Sequence, residues 1–297
     1  MELKCPNPME AIRLIFANLL RIKTLWWRLV GGRKVVVFGH VLKLNPETEF
    51  PTSWRFPLPN LGQKSRIVRY ADFVQAHALV QAVDSLQGAV YAVDVGAYHG
   101  AYAVILGALV KRRGGKVLAV EPNPESFRIL KDNIRRNKLE DTVISVQCAV
   151  SDVENRTNTL TLDGSQSHIL KGTECRSGGK GVAIQIRRLD SLLLEHGFPR
   201  MDVVMIDVEG AELEVLRSFL PWRQATLPVI FCELHCNEWS LFGHGAEDFT
   251  SFMKSQGLTC MDTYLEEHWD FANKAYLGPC LLRRLGCLTR SPMEKTN

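Results

Sequence analysis

Short apolar runs recur through the middle of the chain, and four of them end on an acid: Asp94, Glu121, Asp207 and Glu233. Runs of this length bounded by polar residues are the pattern of parallel strands buried on both faces. They predict strands at 90–95, 116–121, 143–150, 202–207 and 228–234. Between them the apolar positions move to a spacing near 3.6, predicting helices near 100–112, 124–137, 210–219 and 246–256. Strand and helix in alternation imply right-handed crossovers and an α/β fold with a mostly parallel sheet, covered by helices on both faces.

The flanks read differently. Ile67, Val68, Phe73, Val74, Leu79, Val83 and Leu86 keep helical spacing, predicting a helix over 65–86 that leads into the first core strand. Upstream, 35–38 and 40–44 are expected to pair as a small hairpin around Gly39, inside a connector rich in Pro and Gly. An insertion at 152–190 alternates as antiparallel strands would, around a polar loop from Gly164 to Gly181 that is expected to be mobile. Residues 258–261 and 275–282 are expected to close the sheet edge as a C-terminal antiparallel hairpin. The resulting division is a basic N-terminal extension at 1–64, a core domain at 65–287 and a tail at 288–297.

Charge adds an asymmetry. The first 70 residues hold twelve Lys and Arg against four acids, whereas the remainder holds 24 against 28. A basic front on a slightly acidic body fits contact with an anionic surface, or simply a solvated basic helix. Residues 9–30 are apolar, but Arg13, Arg21, Lys23 and Arg28 interrupt them. No uncharged stretch reaches the ~20 residues that a membrane span needs, and no secretory signal is evident. The expected location is cytoplasmic, with peripheral membrane contact through 9–30 left open. The eight cysteines contain no C-x-x-C pair and several sit in apolar runs, so buried free thiols are expected, rather than a zinc site at Cys232, His235 and Cys236.

Chemistry concentrates at the ends of the apolar runs. Asp94-Val95-Gly96-Ala97-Tyr98-His99-Gly100 places an acid and two glycines between a strand and a helix, where backbone can approach a ligand closely. A dinucleotide site wants G-x-G-x-x-G so that the pyrophosphate can rest on the helix start. Here the spacing is G-x-x-x-G behind an acid, which would repel pyrophosphate and suits a cofactor with a cationic amino group. Glu121 ends the second strand, where a carboxylate can grip both ribose hydroxyls. Together these features point to S-adenosylmethionine rather than NAD. Glu121 would hold the ribose, the Gly96–Gly100 turn would pack on the nucleoside and amino-acid moieties, and Asp94 would orient the methionine end. Asp207 and, on the next strand, Glu233 and His235 reach the same edge. His235 is the candidate base for an acceptor hydroxyl, with Glu233 or Asp207 as alternatives. His99 and His168 are weaker candidates. Glu209 and Glu212 lie at a helix start, where the dipole favours acids in any case. A divalent metal on Asp207, Glu209 and Glu233 is conceivable, because hard cations take oxygen ligands. The acids also serve the cofactor, and no metal site is assigned.

Asp94-x-Gly96-x-x-x-Gly100, Glu121-Pro122-Asn123-Pro124 with Asn133 and Asn137, Leu189-Asp190-Ser191-Leu192, and Ile206-Asp207-Val208-Glu209-Gly210-Ala211-Glu212 followed by Glu233-Leu234-His235 resemble the FkbM family of methyltransferases. The resemblance covers roughly 90–250. It implies a Rossmann-like class I methyltransferase fold that uses S-adenosylmethionine, usually to methylate a hydroxyl oxygen. The cofactor contacts expected are Asp94, Gly96, Tyr98, Gly100, Glu121, Asn123 and Asp207. The acceptor class expected is a small molecule or a glycan- or lipid-type hydroxyl, with no specific nucleic acid partner. Two rivals remain: a non-catalytic binding or membrane-tethered scaffold that keeps the fold, and an NAD-dependent oxidoreductase, which the missing third glycine disfavours.

Overall fold

The computed structural model describes residues 32–49, 75–161, 169–170, 181–220, 227–261 and 278–284. The expected N-terminal helix at 9–30, the start of the 65–86 helix, most of the 164–181 loop with His168, and the tail at 288–297 lie outside these residues. Helical structure is present over 75–85. None of the described helices is long and apolar enough to cross a membrane.

The described chain begins with strands β1 (Arg33–Val37) and β2 (His40–Leu44), an antiparallel pair with Val37 opposite His40. Phe38 and Gly39 form the two-residue turn, both at positive φ (47° and 79°), the backbone twist that tight hairpins favour. Alternation along the pair buries Val35, Val37, Leu42 and Leu44 and leaves Val36 and Val41 exposed. The buried face packs into the same core as the central sheet, so the hairpin, although upstream of the expected boundary at 64, is built into the core domain.

The central unit then runs β3 (Val90–Val95), α1 (Ala101–Lys111), β4 (Gly115–Val120), α2 (Pro124–Arg136) and β5 (Val143–Val146). An antiparallel excursion follows: β6 (Ala149–Val150), β7 (Arg156–Thr161), β8 (Ile169–Leu170) and β9 (Gly181–Arg187). The chain returns through α3 (Leu189–Glu195), β10 (Val203–Ile206), α4 (Glu212–Phe219), β11 (Val229–Leu234), α5 (Ala246–Ser255), β12 (Leu258–Met261) and β13 (Gly278–Arg284). The seven-stranded sheet has the order β12-β13-β11-β10-β3-β4-β5. The five strands from β11 to β5 are mutually parallel, while β13 and β12 are antiparallel and form the expected closing hairpin.

Local sequence explains these elements. All of β3 but Tyr91 is buried, as a central strand covered on both faces requires. Val90 and Ala92 face the layer that contains α1 and the hairpin, and Val93 and Val95 face the layer with α3 and α4. The α2 helix starts at Asn123, whose side chain accepts from the Glu125 and Ser126 amides, with Pro124 in the first turn. Glu125 at its start and Arg135 and Arg136 at its end both complement the helix dipole.

Three expectations needed correction. The run 143–150 is two strands, because Ala149 and Val150 leave the main sheet to pair in parallel with Ile186 and Arg187 of β9. The helix expected from 210 starts at 212, because Glu209 and Gly210 sit at φ 51° and 106° and cannot be helical. Cys260, expected as a free thiol, is disulfide-bonded to a partner outside the described side chains, whereas Cys148, Cys232 and Cys236 are free.

Gly96 joins the two halves of the sheet. It lies at φ 81°, and a Cβ there would stand 1.7 Å from the Asp207 carbonyl oxygen and 2.7 Å from its carbon. Backbone on both sides is pinned, since the Asp207 amide donates to Val95 (2.9 Å) and the Gly96 amide to Val120 (2.9 Å). Gly96→Ala is therefore expected to cost roughly 3 kcal/mol or more, the range of a backbone clash at a residue needing positive φ. Urea unfolding checks this, and wild-type stability in the variant would contradict the packing described.

Candidate active site

The carboxyl ends of β3, β4, β10 and β11 bring the sequence-derived residues to one edge. Asp94 is penultimate in β3, pairs in register with Met205, and is 1% exposed. Its Oδ2 has no hydrogen-bond partner. Burial, and next the charges of Asp207 and Glu121, push its carboxyl up to about 8, although a hydrogen bond from the Ala103 amide opposes them. Glu121 follows β4 and is 5% exposed. Its Oε2 accepts from the Tyr98 amide (2.7 Å) and its Oε1 from the Asn123 amide (2.8 Å). Burial raises it to about 7 against those two bonds, with Asp207 adding to the rise.

The turn between β3 and α1 is held from below by these contacts. The Ala97 amide donates to Val120 (3.0 Å) and Tyr98 adopts φ 47°, a strained value for a residue with a side chain. Its ring stacks on His99 at 3.8 Å between centroids. Gly100 caps α1 at φ 85°, and a Cβ there would meet Leu130 of α2 at 2.5 Å. Both glycines thus answer to packing between elements, beyond any contact with a ligand. Asn123, expected as a cofactor contact, spends its side-chain oxygen on capping α2.

At the other end of the edge, Asp207, Glu209 and His235 present oxygen and nitrogen atoms within 4.8 Å of one another. His235 Nε2 lies 3.5 Å from Glu209 and 3.9 Å from Asp207. Three such atoms can share one divalent cation, or the two carboxylates can share the protonated imidazole. Glu233, the expected third member beside Asp207 and Glu209, is half-buried on β11 and stands outside this group, its place taken by His235. Glu209 reaches in because its backbone adopts φ 51°.

Glu212 is what sequence reasoning missed. A helix-start acid is ordinarily a solvated dipole partner, but this one is 0% exposed. Its Oε1 meets His235 Nδ1 at 2.9 Å and accepts from the Gly210 amide at 3.0 Å, and its Oε2 accepts from Trp239 Nε1 at 2.7 Å. The available signal was spacing, since Glu209 and Glu212 flank a Gly-Ala turn directly after the strand that delivers Asp207. Burial opposes a charge on His235, but the Glu212 hydrogen bond and the charges of Glu212, Asp207 and Glu209 overcome it and lift His235 to about 10. The carboxylates around it thus favour the protonated imidazole over the neutral ring that a general base needs. Burial first, with Glu212 adding, raises Asp207 while His235 lowers it; its side chain keeps 36% exposure, which moderates the effect. Burial raises Glu209 as well. The thiols nearby are poor metal ligands as they stand, because burial drives Cys232 up and Cys236 up to about 12, away from the thiolate. His99, at the far side of the turn, is pushed down to about 4 by burial and is neutral.

Comparison with known proteins agrees with this geometry. A family model described as the methyltransferase FkbM domain matches residues 94–259. Methyltransferase sdnD of Sordaria araneosa is 28% identical over 158 residues, 43% of this chain and 60% of that protein. Hexuronic acid methyltransferase AglP of Haloferax volcanii is 28% identical over 182 residues, 60% of this chain and 67% of its own length. A crystal structure of methyltransferase FkbM from Methylobacillus flagellatus KT is similar at 17% identity and a TM-score of 0.43, over 66% of this chain and 44% of that one. The match thus spans about three fifths of the length of sdnD and less than half of the solved FkbM chain.

The Glu212–His235 pair generates a prediction with a definite sign. A histidine raised to about 10 from 6.5 contributes stability that is fully present below pH 6.5 and lost as pH rises through 10. Glu212→Gln is expected to bring the His235 titration down toward its ordinary range and to flatten the loss of stability between pH 7 and 10. Glu212→Ala is expected to cost about 3–5 kcal/mol at pH 6, as removal of one partner from a buried pair does. Nitrogen NMR of the imidazole and urea unfolding read the two effects.

Proposed function

This chain belongs to the FkbM methyltransferase family, and on that premise we propose that it transfers a methyl group from S-adenosylmethionine to a hydroxyl oxygen of a small-molecule or glycan- or lipid-type acceptor. One observation carries the cofactor assignment. Asp94 is fully buried beside Glu121 and Asp207, its Oδ2 has no partner, and its carboxyl accepts from the Ala103 backbone amide. A buried carboxylate without a counter-charge is costly, so the edge is suited to a ligand that brings positive charge. Glu121 accepts one backbone bond on each oxygen, which leaves lone pairs on both for ribose hydroxyls. These residues fit S-adenosylmethionine, whose amino group and sulfonium are cationic and whose ribose offers two hydroxyls.

Once bound, the cofactor supplies an electrophilic methyl carbon. The remaining work falls to the chain's own residues. The Asp94 and Glu121 edge fixes the cofactor, and an acceptor docked across the β10–β11 end meets it in one geometry; positioning of this kind supplies much of the rate in a two-substrate displacement. Transfer would break the sulfur–methyl bond, leave its electron pair on sulfur as a neutral thioether and form the oxygen–carbon bond, and a carboxylate oxygen of Asp207 or Glu209 would take the acceptor's proton. Both are raised above the usual carboxylate range, which makes them better matched to the task. His235, protonated and held by Glu212, orients that carboxylate pair and balances its charge. It thereby takes a different role from the base expected from sequence. The name of AglP, a hexuronic acid methyltransferase, supports a sugar-type acceptor.

A cationic ligand favours the ionised carboxylates. Asp94 and Glu121 are raised to about 8 and about 7, so affinity for S-adenosylmethionine is expected to climb between pH 6 and pH 8, by up to about tenfold per pH unit, and to level off above. The raised Asp94 also works against folding as pH rises from 3.8 toward 8. Asp94→Asn should therefore stabilise the ligand-free protein at pH 8 while weakening cofactor binding roughly tenfold or more. Calorimetry and thermal unfolding separate the two effects. A wild-type chain that gives no heat with S-adenosylmethionine would sink the assignment.

A further inference from the structure

The β1–β2 hairpin buries one face in the core and turns the other to solvent. On the outer face the cross-strand register sets Lys34 opposite Lys43 and Val36 opposite Val41. All four are exposed, the valines at 62% each. Three large apolar side chains are exposed among the described residues, and two of them are this facing pair, so the patch departs from the usual scatter of single surface apolars.

Neither pairing suits water. Residues directly opposite in an antiparallel pair have Cβ atoms about 5 Å apart, where like charges repel. Among the described residues neither lysine side chain is paired with an acid. Acids on the neighbouring α2 and connector are committed elsewhere, Glu47 to Arg128 and Asp132 to Arg135 and Arg136. The face is also held firmly. Asn137 of α2 accepts from the Lys43 amide and donates to the Lys43 carbonyl, both at 2.8 Å, and Asn133 Oδ1 accepts from the Asn45 amide at 2.6 Å. An outer face fixed in this way keeps its lysines and valines side by side.

The chain entering β1 has a matching composition. Residues 1–31 hold five basic residues (Lys4, Arg13, Arg21, Lys23 and Arg28) against Glu2 and Glu10, and Trp26 and Trp27 come shortly before Arg33. Basic residues beside tryptophan are the composition of a contact with anionic lipid. Other occupants satisfy only half of the face. A nucleic-acid backbone would reward the lysines and leave the valines in water. A second copy of this face would cover the valines but bring two further lysines against the first two.

We propose that the outer face of the hairpin docks on an anionic membrane surface, with Lys34 and Lys43 at the lipid headgroups and Val36 and Val41 at the acyl boundary. The docking is independent of the cofactor assignment and holds whichever acceptor the site takes.

Flotation of the full chain with vesicles tests it, using equimolar phosphatidylcholine and phosphatidylserine against phosphatidylcholine alone. Wild type is expected to float with the anionic vesicles and to stay behind with the neutral ones. Lys43→Glu puts an opposite charge across from Lys34, so it should hold or raise Tm while weakening vesicle binding about 20- to 30-fold, from roughly fivefold per unit of charge. A face that served only the fold would lose nothing in that variant. Val36→Ser combined with Val41→Ser should weaken binding about tenfold at unchanged charge, at a temperature where circular dichroism shows the variant folded. Equal flotation with both vesicle types, none with either, or wild-type binding in either variant overturns the proposal. A loss confined to Lys43→Glu identifies a general polyanion surface. Sedimentation that shows self-association without vesicle binding, abolished by the valine changes, identifies a second copy instead. Each of these two results also overturns the membrane assignment.

Discussion

Negative charge gathered at one edge of a parallel sheet is the constraint on which the site depends. Asp94, Glu121, Asp207, Glu209 and Glu212 all reach the carboxyl ends of the central strands, and among the described residues His235 is the cation drawn into direct contact with them. Burial makes each charge expensive, and the protein answers in two ways. At the β10–β11 end it supplies its own counter-charge by lifting His235 into the protonated state. At the β3–β4 end it supplies backbone amides to Glu121 and leaves Asp94 Oδ2 with nothing. The first end is balanced within the chain, and the second has no counter-charge in direct contact among the described residues. The proposed division, cofactor at one end and proton transfer at the other, follows from this difference.

The scaffold makes the arrangement possible by close approach of backbone. The Gly96 contact with the Asp207 carbonyl brings the ends of β3 and β10 near enough for Asp94 and Asp207 to feel each other's charge. Leu130 beneath Gly100 seats α2 against the same turn, and α2 carries Asn133, which reaches back to the N-terminal segment. Turn, helix and hairpin are therefore one packed unit. A change at any of them is felt at Tyr98 and His99, because interiors at crystal-like density transmit displacement instead of absorbing it.

Much of this was legible in the chain. The runs at 90–95, 202–207 and 228–234 became strands because continuous apolar residues with an acid behind them have few other stable uses, and the Asp94 and Glu121 positions followed from strand ends alone. The turn at Phe38-Gly39 was likewise readable from a glycine between two alternating stretches. The failures share a cause: they concern partners distant in sequence. A continuous apolar run at 143–150 gives no sign that its end will pair with β9, some 37 residues on. Glu212 looks like any acid at a helix start until Trp239 and His235 are seen to enclose it. Local pattern states which residue types lie at an edge, and only packing states which of them lose their water.

The distinction matters most for the base. From sequence, a histidine at the end of a strand is the natural proton acceptor, because its ordinary pKa lies close to neutrality. That preference holds for an imidazole that meets one carboxylate or none. Here Nδ1 faces a fully buried carboxylate and Nε2 faces two more, and three negative neighbours hold the proton far more tightly than an acceptor hydroxyl could match. The same proton draws Asp207 and Glu209 together in spite of their repulsion. In the proposed reaction the histidine is the positive half of a charge pair whose negative half accepts the proton. A carboxylate partly desolvated and partly repelled by its neighbours is a stronger base than one in water, and an imidazolium between two of them offsets the repulsion that would otherwise keep them apart.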